Sequence, residues 1–339
     1  MTDIFIKSFN RAFYLDRCIF SIYKHVSGDF RIKVLDDGTP KKYLDKIREK
    51  YPEVEIYLSP SYDRKGQAIA ENLQSGKPIN GIEIPTRFWF DHIKNGSEYV
   101  IVTEDDVWFT SPIDIDDLKN QAKKFDIHLL KLGWLGNENE RKDLNLHTIS
   151  DDLESAQPKD LLLMNKPLMT AFFHNHYKFF TVLYKLKIVD NLTALKYWAL
   201  NSILMGFYKK KYWMEIWKEM DGKVDEKKQL INASVFYKKH KKNASFISRL
   251  KTEAMKTTFQ SSATNSYHEY GFDFDVDLFN HLINEAWLRG DFNAMENYPN
   301  DFSLDYFAHF VSDKINTAEF EKWVARFKSQ YRQMGCNVE

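Results

Sequence analysis

The segment Thr103-Glu104-Asp105-Asp106-Val107-Trp108 brings three carboxylates together directly after the apolar run Tyr99-Val100-Ile101-Val102. That run reads as a short buried strand. The acids therefore stand at a strand's carboxyl end, where open α/β sheets bind their ligands. Three carboxylates held so close repel one another unless a cation or hydrogen-bond donors sit between them. Taken alone, the triplet also suits a solvated acidic turn or a helix N-terminus. A second acidic pair, Asp36-Asp37, closes the strand-like run Arg31 to Leu35 and leads into Gly38-Thr39-Pro40. There the competing reading is a turn-forming Asp-Gly unit.

The elements around these residues alternate. Ile4 to Ile6 reads as a strand. Asn10 can cap a helix whose apolar stripe is Tyr14/Leu15, Cys18/Ile19, Ile22/Tyr23 and Val26, closed by Gly28. Strands follow at Arg31–Leu35, Val54–Leu58, Tyr99–Val102 and Ile127–Leu132. Between them lie helices carrying Tyr43/Leu44/Ile47, Ala68–Leu73 and Arg87–Ile93. Such alternation implies an α/β fold of Rossmann type, with a mainly parallel sheet flanked by helices. Gly136 to Lys159 is polar and reads as loop. Leu161 to Phe173 suits a strand pair or a buried segment. Lys185 to Glu219 is helical in character and dense in aromatics. Lys228–Lys239 reads as a helix and Ala244–Leu250 as a strand. Two amphipathic helices close the chain, from about Asp277 to Arg289 and from Asn316 to Gly335, the second with a capping-box Glu319. We divide the chain at 1–135, 136–275 with an insert near 185–221, and 276–339.

Composition excludes little. Lys+Arg and Asp+Glu are both 48, and 43% of residues are hydrophobic, as in an ordinary soluble chain. Charge is uneven, however: Lys178 to Lys256 holds 18 basic and 7 acidic residues, a net of +11 inside an acidic frame. Two cysteines, Cys18 and Cys336, point to a reducing cytosol rather than a disulfide framework. The N-terminus lacks the pattern of a signal peptide. The longest apolar run, Tyr197 to Tyr208, is too short to span a bilayer.

Four pieces agree in order and spacing with one family. Phe5 to Leu15, Val34-Leu35-Asp36-Asp37-Gly38-Thr39, Lys65-Gly66-Gln67-Ala68-Ile69-Ala70-Glu71-Asn72 and Tyr99 to Asp106 together resemble the opening of family 2-type glycosyltransferases with the GT-A fold. The resemblance covers roughly residues 1–135. It implies a nucleotide-diphospho-sugar donor and a divalent cation, Mn²⁺ or Mg²⁺. It assigns Asp106 to the cation with Asp105 beside it, and places Glu104 and Asp105 toward the ribose and sugar. Phe9, Asn10, Arg11, Asp36 and Asp37 would line the nucleotide pocket. The acidic motif is Glu-Asp-Asp rather than the usual Asp-x-Asp. The Gln-x-x-Arg-Trp motif of polymerising members is absent, which argues for transfer of single sugars. The chemistry asks for such residues independently, because negative charge builds on a departing diphosphate and a cation can stabilise it.

An inverting transfer also needs a general base for the acceptor hydroxyl. By the same resemblance it is an acidic residue opening a helix before a late strand. Glu226 is the first choice and Asp225 the second, with a solvated N-cap as the competing reading. His268, in the polar loop Ser261 to His268, is a candidate phosphate or metal contact. His174 and His176 lie among aromatics and suit packing. The insert, with Lys209-Lys210-Lys211 beside Tyr212-Trp213 and Trp217, could stack an acceptor glycan. It could equally dock on anionic lipid at the inner membrane face and present a lipid-linked acceptor, or form an ordinary helical subdomain. No nucleic-acid recognition motif is visible. Three alternatives stand beside the transferase. A nucleotidyltransferase lacks its glycine-rich loop here, since that position is Ser8-Phe9-Asn10-Arg11. A haloacid-dehalogenase-like phosphatase needs carboxylates at i and i+2, not adjacent. A non-catalytic nucleotide-binding protein is the third.

Overall fold

The computed structural model describes residues 1–76, 83–137, 142–202, 205–262 and 271–338. Its centre is a nine-stranded sheet. In chain order the strands are β1 Thr2–Ser8, β2 Phe30–Asp36, β3 Glu55–Leu58, β4 Tyr99–Glu104, β5 Leu129–Lys131, β6 Leu144–Thr148, β7 Leu153–Pro158, β8 Gly206–Lys209 and β9 Ile247–Leu250. Their order across the sheet is β3-β2-β1-β4-β8-β5-β9-β7-β6. The first four are all parallel. Only β8 and β7 run against the rest. The fold is therefore α/β, with a mostly parallel central sheet flanked by helices.

Register aligns the carboxyl ends that matter. Lys7 of β1 faces Glu104 of β4, and Ser8 faces Asp36 of β2. Strands β1 and β4 are apolar on both faces, as burial under helices on both sides requires. On one face the helix Ala12–His25 packs with the C-terminal helices Val276–Arg289, Leu304–Val311 and Thr317–Gln333 in a single core. On the other, Ile93, Tyr208, Trp213, Trp217 and Phe246 form a second core. Arg17 ties the C-terminal segment to the first helix. Its guanidinium donates to the carbonyls of Ala294, Asn300 and Glu296 and lies over the rings of Trp108 and Phe302.

Several sequence expectations change. Asn10 is not the helix cap: its φ is 53° and its N–H donates to Thr39 Oγ1 at 2.8 Å. Tyr23 is exposed, and Val26 belongs to a two-residue strand paired with Ile113–Asp114. The polar stretch before Lys159 holds the β6–β7 hairpin at the sheet's edge, where one side of the ladder faces solvent and polar residues are tolerated. Leu161 to Phe173 contains the helix Lys166–Phe173. Most consequentially, the 185–221 insert is no separate subdomain. Its residues 206–209 are β8, the strand that joins the two halves of the sheet, and Tyr212, Trp213 and Trp217 are buried beside it. Glu319 pairs with Lys322 at 2.7 Å, while Asn316 caps its helix through Ala318 N–H. Among the described residues, no helix is long and apolar enough to cross a membrane.

Candidate functional site

Three loops leave the carboxyl edge of the sheet side by side. The loop after β1 carries Phe9, Asn10 and Arg11. The loop after β2 carries Asp37, Gly38 and Thr39. The loop after β4 carries Asp105 and Asp106. Parallel strands about 4.8 Å apart bring all eight residues into one neighbourhood. Gly38 is required there. Its φ is +136°, and a Cβ would lie 2.8 Å from Lys65 Cβ and 3.1 Å from the Phe9 ring.

At the centre, Arg11 bridges the two aspartates that the sequence offers to a metal. Its Nη2 donates to Asp105, and its Nη1 lies 2.5 Å from Asp106 Oδ2 and 3.3 Å from Ser261 Oγ. Asp105 also accepts from the Phe9 N–H at 3.1 Å. Asp105 is fully buried, and Arg11 and Asp106 nearly so. Burial pushes both carboxyls up from the ordinary range, and the Arg11 charge opposes it. Among the described residues, Asp106 Oδ1 is buried and has no hydrogen-bond partner. No group of three or more potential ligands forms a metal cluster among the described residues. His268 lies outside the described residues.

The other acids are likewise engaged. Glu104 accepts from Lys7 Nζ at 2.6 Å, and that ammonium sits 4.9 Å from the Trp89 ring and 5.2 Å from Trp217. Asp36 turns inward. It accepts from Gly38 N–H, Thr39 N–H and Thr39 Oγ1 at 3.1, 2.9 and 2.6 Å. Both its oxygens serve its own turn, which is the structural reading of the Asp-Gly pair. Asp37 instead pairs with Lys65 and accepts from Ser59 Oγ at 2.5 Å. Burial raises both pKa values, against these hydrogen bonds.

Asp225 is the N-cap of the helix Glu226–His240, accepting from Lys228 N–H at 3.0 Å. That duty leaves Glu226 as the freer carboxylate. It is exposed on the first turn, and partial desolvation followed by the Asp225 charge raises its pKa. Sequence reasoning missed Tyr331. It lies on the last helix against Phe259 and Phe327, with ring centroids 4.8 and 5.1 Å away. Its phenol is pushed up to about 12 by burial, then by Cys336, Glu226, Asp106 and Glu104. Tyr331 thus feels the acidic motif and Glu226 together. The periodicity of its helix marks it as inward-facing but cannot say toward what.

Farther along the same edge lies a cleft of about 600 Å³ lined by Trp134, Thr148, Glu154, Arg249, Lys251 and Glu253, among others. Arg249 is buried with its guanidinium 4.4 Å from the Trp134 ring centroid. Its Nε donates to Glu154 at 2.7 Å, and its Nη1 has no hydrogen-bond partner among the described residues. His174 and His176 are exposed, with their rings 5.5 Å apart.

No family model and no curated protein matches the sequence. Among solved structures, the chain is similar to glycosyltransferases. Residues 1–349 of S. aureus TarS share 11% identity at a TM-score of 0.44, over 98% of this chain and 92% of that one. The same protein in complex with UDP-GlcNAc gives 11% and 0.42, over 99% and 82%. The mannosyltransferase PcManGT from Pyrobaculum calidifontis, in complex with GDP-Man and Mn²⁺, gives 9% and 0.36, over 98% and 75%.

Proposed function

We propose that this chain is a glycosyltransferase that moves a single sugar from a nucleotide-diphospho-sugar to a glycan or lipid-linked acceptor, with inversion. One observation carries the reading. Three strand-end loops gather Asn10/Arg11, Asp37 and Glu104/Asp105/Asp106 at one sheet edge, in the order the sequence motifs follow. Asp36 speaks against the phosphatase alternative, since a nucleophilic carboxylate cannot have both oxygens bonded within its own turn.

The residues fit a divalent cation held by one carboxylate. Asp106 Oδ1 is free to ligate it, while Arg11 retains Asp105. Mg²⁺ and Mn²⁺ sites commonly take one or two carboxylates, with substrate phosphates and water completing the shell. Such a cation would supply charge stabilisation to the leaving diphosphate. Arg11 would stay with Asp105 and with the other oxygen of Asp106, Oδ2, beside the cation. Asp37 and Phe9 would face the base and ribose. Glu226 would take the acceptor proton. The cleft at Trp134 and Arg249 would receive the acceptor, on the half of the sheet away from the nucleotide.

The test is a thermal-shift series with nucleoside diphosphates, with and without Mn²⁺ or Mg²⁺, on wild type and Asp106→Asn. A ligand at a hundred times its Kd stabilises the folded state by about 2.7 kcal/mol. Wild type should gain that shift with metal present, and the variant should lose the metal-dependent part while keeping its fold. If no nucleotide raises the melting temperature under any metal condition, the donor-site reading fails.

A further inference from the structure

We propose that the helical hairpin spanning residues 162–195 docks on an anionic bilayer surface. It has an apolar outer side that no described residue covers. Leu162, Leu168, Tyr177, Val182, Tyr184, Leu186, Ile188, Leu192 and Leu195 are all exposed, and Leu186 keeps 64% of its surface in solvent and Leu192 58%. Exposed large hydrophobics elsewhere in the described chain are few and scattered: Met1, Tyr23 and Leu58. Such a concentration of exposed large hydrophobics in one segment marks an interaction surface.

The hairpin is not a loosely packed element. Its inner face holds Met169, Phe172 and Val189 against Tyr197, which follows it, and against Leu230 and Ile231 of the helix Glu226–His240, in a core of their own. The outward side chains are thus presented by a packed element. The link between the helices Lys166–Phe173 and Phe179–Lys185 is also strained. Asn175, Tyr177 and Lys178 all have φ between 50° and 57°. A left-handed backbone costs a non-glycine residue roughly 1–2 kcal/mol. Here it holds Tyr177 fully out in solvent. Strain of this kind concentrates at functional sites.

Charge decides the partner. Residues 161–196 contain Lys166, Lys178, Lys185, Lys187 and Lys196 against the single acid Asp190; Lys166 pairs with Glu219 at 3.6 Å and Lys196 with Asp143 at 3.3 Å, so Lys178, Lys185 and Lys187 supply the surplus charge. Apolar side chains ringed by lysines are what an anionic membrane interface binds, by partial insertion together with attraction to lipid headgroups. A second copy of this chain would bring the same excess of positive charge to the contact and be repelled. The surface differs from the Lys209–Lys211 patch suggested by the sequence. There Lys209 is paired with Asp126 and the aromatics point into the core.

The proposal stands on this surface and not on the transferase reading, although docking here would bring the Glu226 end of its helix toward the bilayer. The experiment is flotation of the full chain, without nucleotide, on vesicles of phosphatidylcholine alone or with about a third phosphatidylglycerol. Binding should require the anionic lipid and weaken with salt. Replacing Lys178, Lys185 and Lys187 by Gln should weaken partitioning roughly a hundredfold. Tyr177→Ser with Leu186→Ser should abolish it, with the melting temperature unchanged because these side chains touch little. No binding to anionic vesicles overturns the proposal. So does a wild type that is dimeric in ultracentrifugation and made monomeric by Tyr177→Ser/Leu186→Ser.

Discussion

Replacing Arg11 by Met isolates the charge logic of the site. Arg11 is buried and paired with two adjacent buried carboxylates. The substitution keeps most of the stem and removes the guanidinium, so Asp105 and Asp106 lose their common counter-charge. Removing one partner of a buried ion pair costs about 3–5 kcal/mol. Against a typical stability of about 5–15 kcal/mol, that is a large share. With a urea slope of about 3 kcal/mol per molar, the midpoint should fall by about 1–1.7 M at pH 8. The sign of the pH effect follows from protons. Both carboxyls already have folded-state pKa values raised by burial, and without Arg11 they rise further. The folded variant then binds more protons than its unfolded chain, so its stability falls as pH rises. At pH 5 the loss should shrink markedly. Adding Asp106→Asn to Arg11→Met removes one of the two charges and should restore part of the stability at pH 8. Urea unfolding of the three proteins at pH 5 and 8 provides the measurement. A loss below 1 kcal/mol at pH 8, or the same loss at both pH values, would mean that packing and not charge governs this position.

Glu226→Gln should lower transfer by about 10²–10⁴-fold, the usual contribution of a general base, while nucleotide affinity in the thermal-shift assay stays at the wild-type value. Normal transfer by this variant would place the base elsewhere, and lost nucleotide affinity would break the split into donor and acceptor halves. Asp277, nearly buried at the start of the helix Val276–Arg289, has its pKa pushed up to about 7 by burial and then by Asp275, with Asn10 opposing. A raised acid costs nothing below the unfolded pKa, and its penalty grows as pH rises to the folded value. Asp277→Asn should therefore stabilise the protein by about 2–4 kcal/mol at pH 8 and have little effect near pH 4, as read by chemical unfolding at the two pH values.

The first four strands of the sheet were legible because their signals are local. Buried parallel strands read as apolar runs, and each acidic group directly follows one. Strand β8 was not legible. Gly206-Phe207-Tyr208-Lys209 is four residues inside an aromatic-rich stretch, and only pairing with β4 and β5, about 75 to 110 residues distant and unseen in any window, makes it a strand. The lysines around the insert's aromatics left a docking surface, an acceptor platform and an ordinary helical subdomain all open, whereas the rings of Tyr212, Trp213 and Trp217 complete the core beneath the sheet. The outward face of 162–195 was hidden for the opposite reason. Its hydrophobics read as core in sequence, and only the fold reveals which of them have no neighbour. Arg11 was placed in the pocket, but that it would span Asp105 and Asp106 depends on three loops meeting.

Counting charge at the sheet edge ties these pieces together. Five carboxylates, Asp36, Asp37, Glu104, Asp105 and Asp106, stand with three cations, Lys7, Arg11 and Lys65. If all were ionised the edge would carry a net −2, in surroundings that penalise unbalanced charge. A nucleoside diphosphate arriving alone would add its own negative charge to that deficit, and three cations already committed to protein carboxylates could not offset it without leaving them. On the proposed function, donor and divalent cation should therefore bind together, each raising the affinity for the other by the same factor. Asp106 is the residue through which that coupling would pass, because its Oδ1 is the one carboxylate oxygen of the motif that is buried and unpartnered among the described residues.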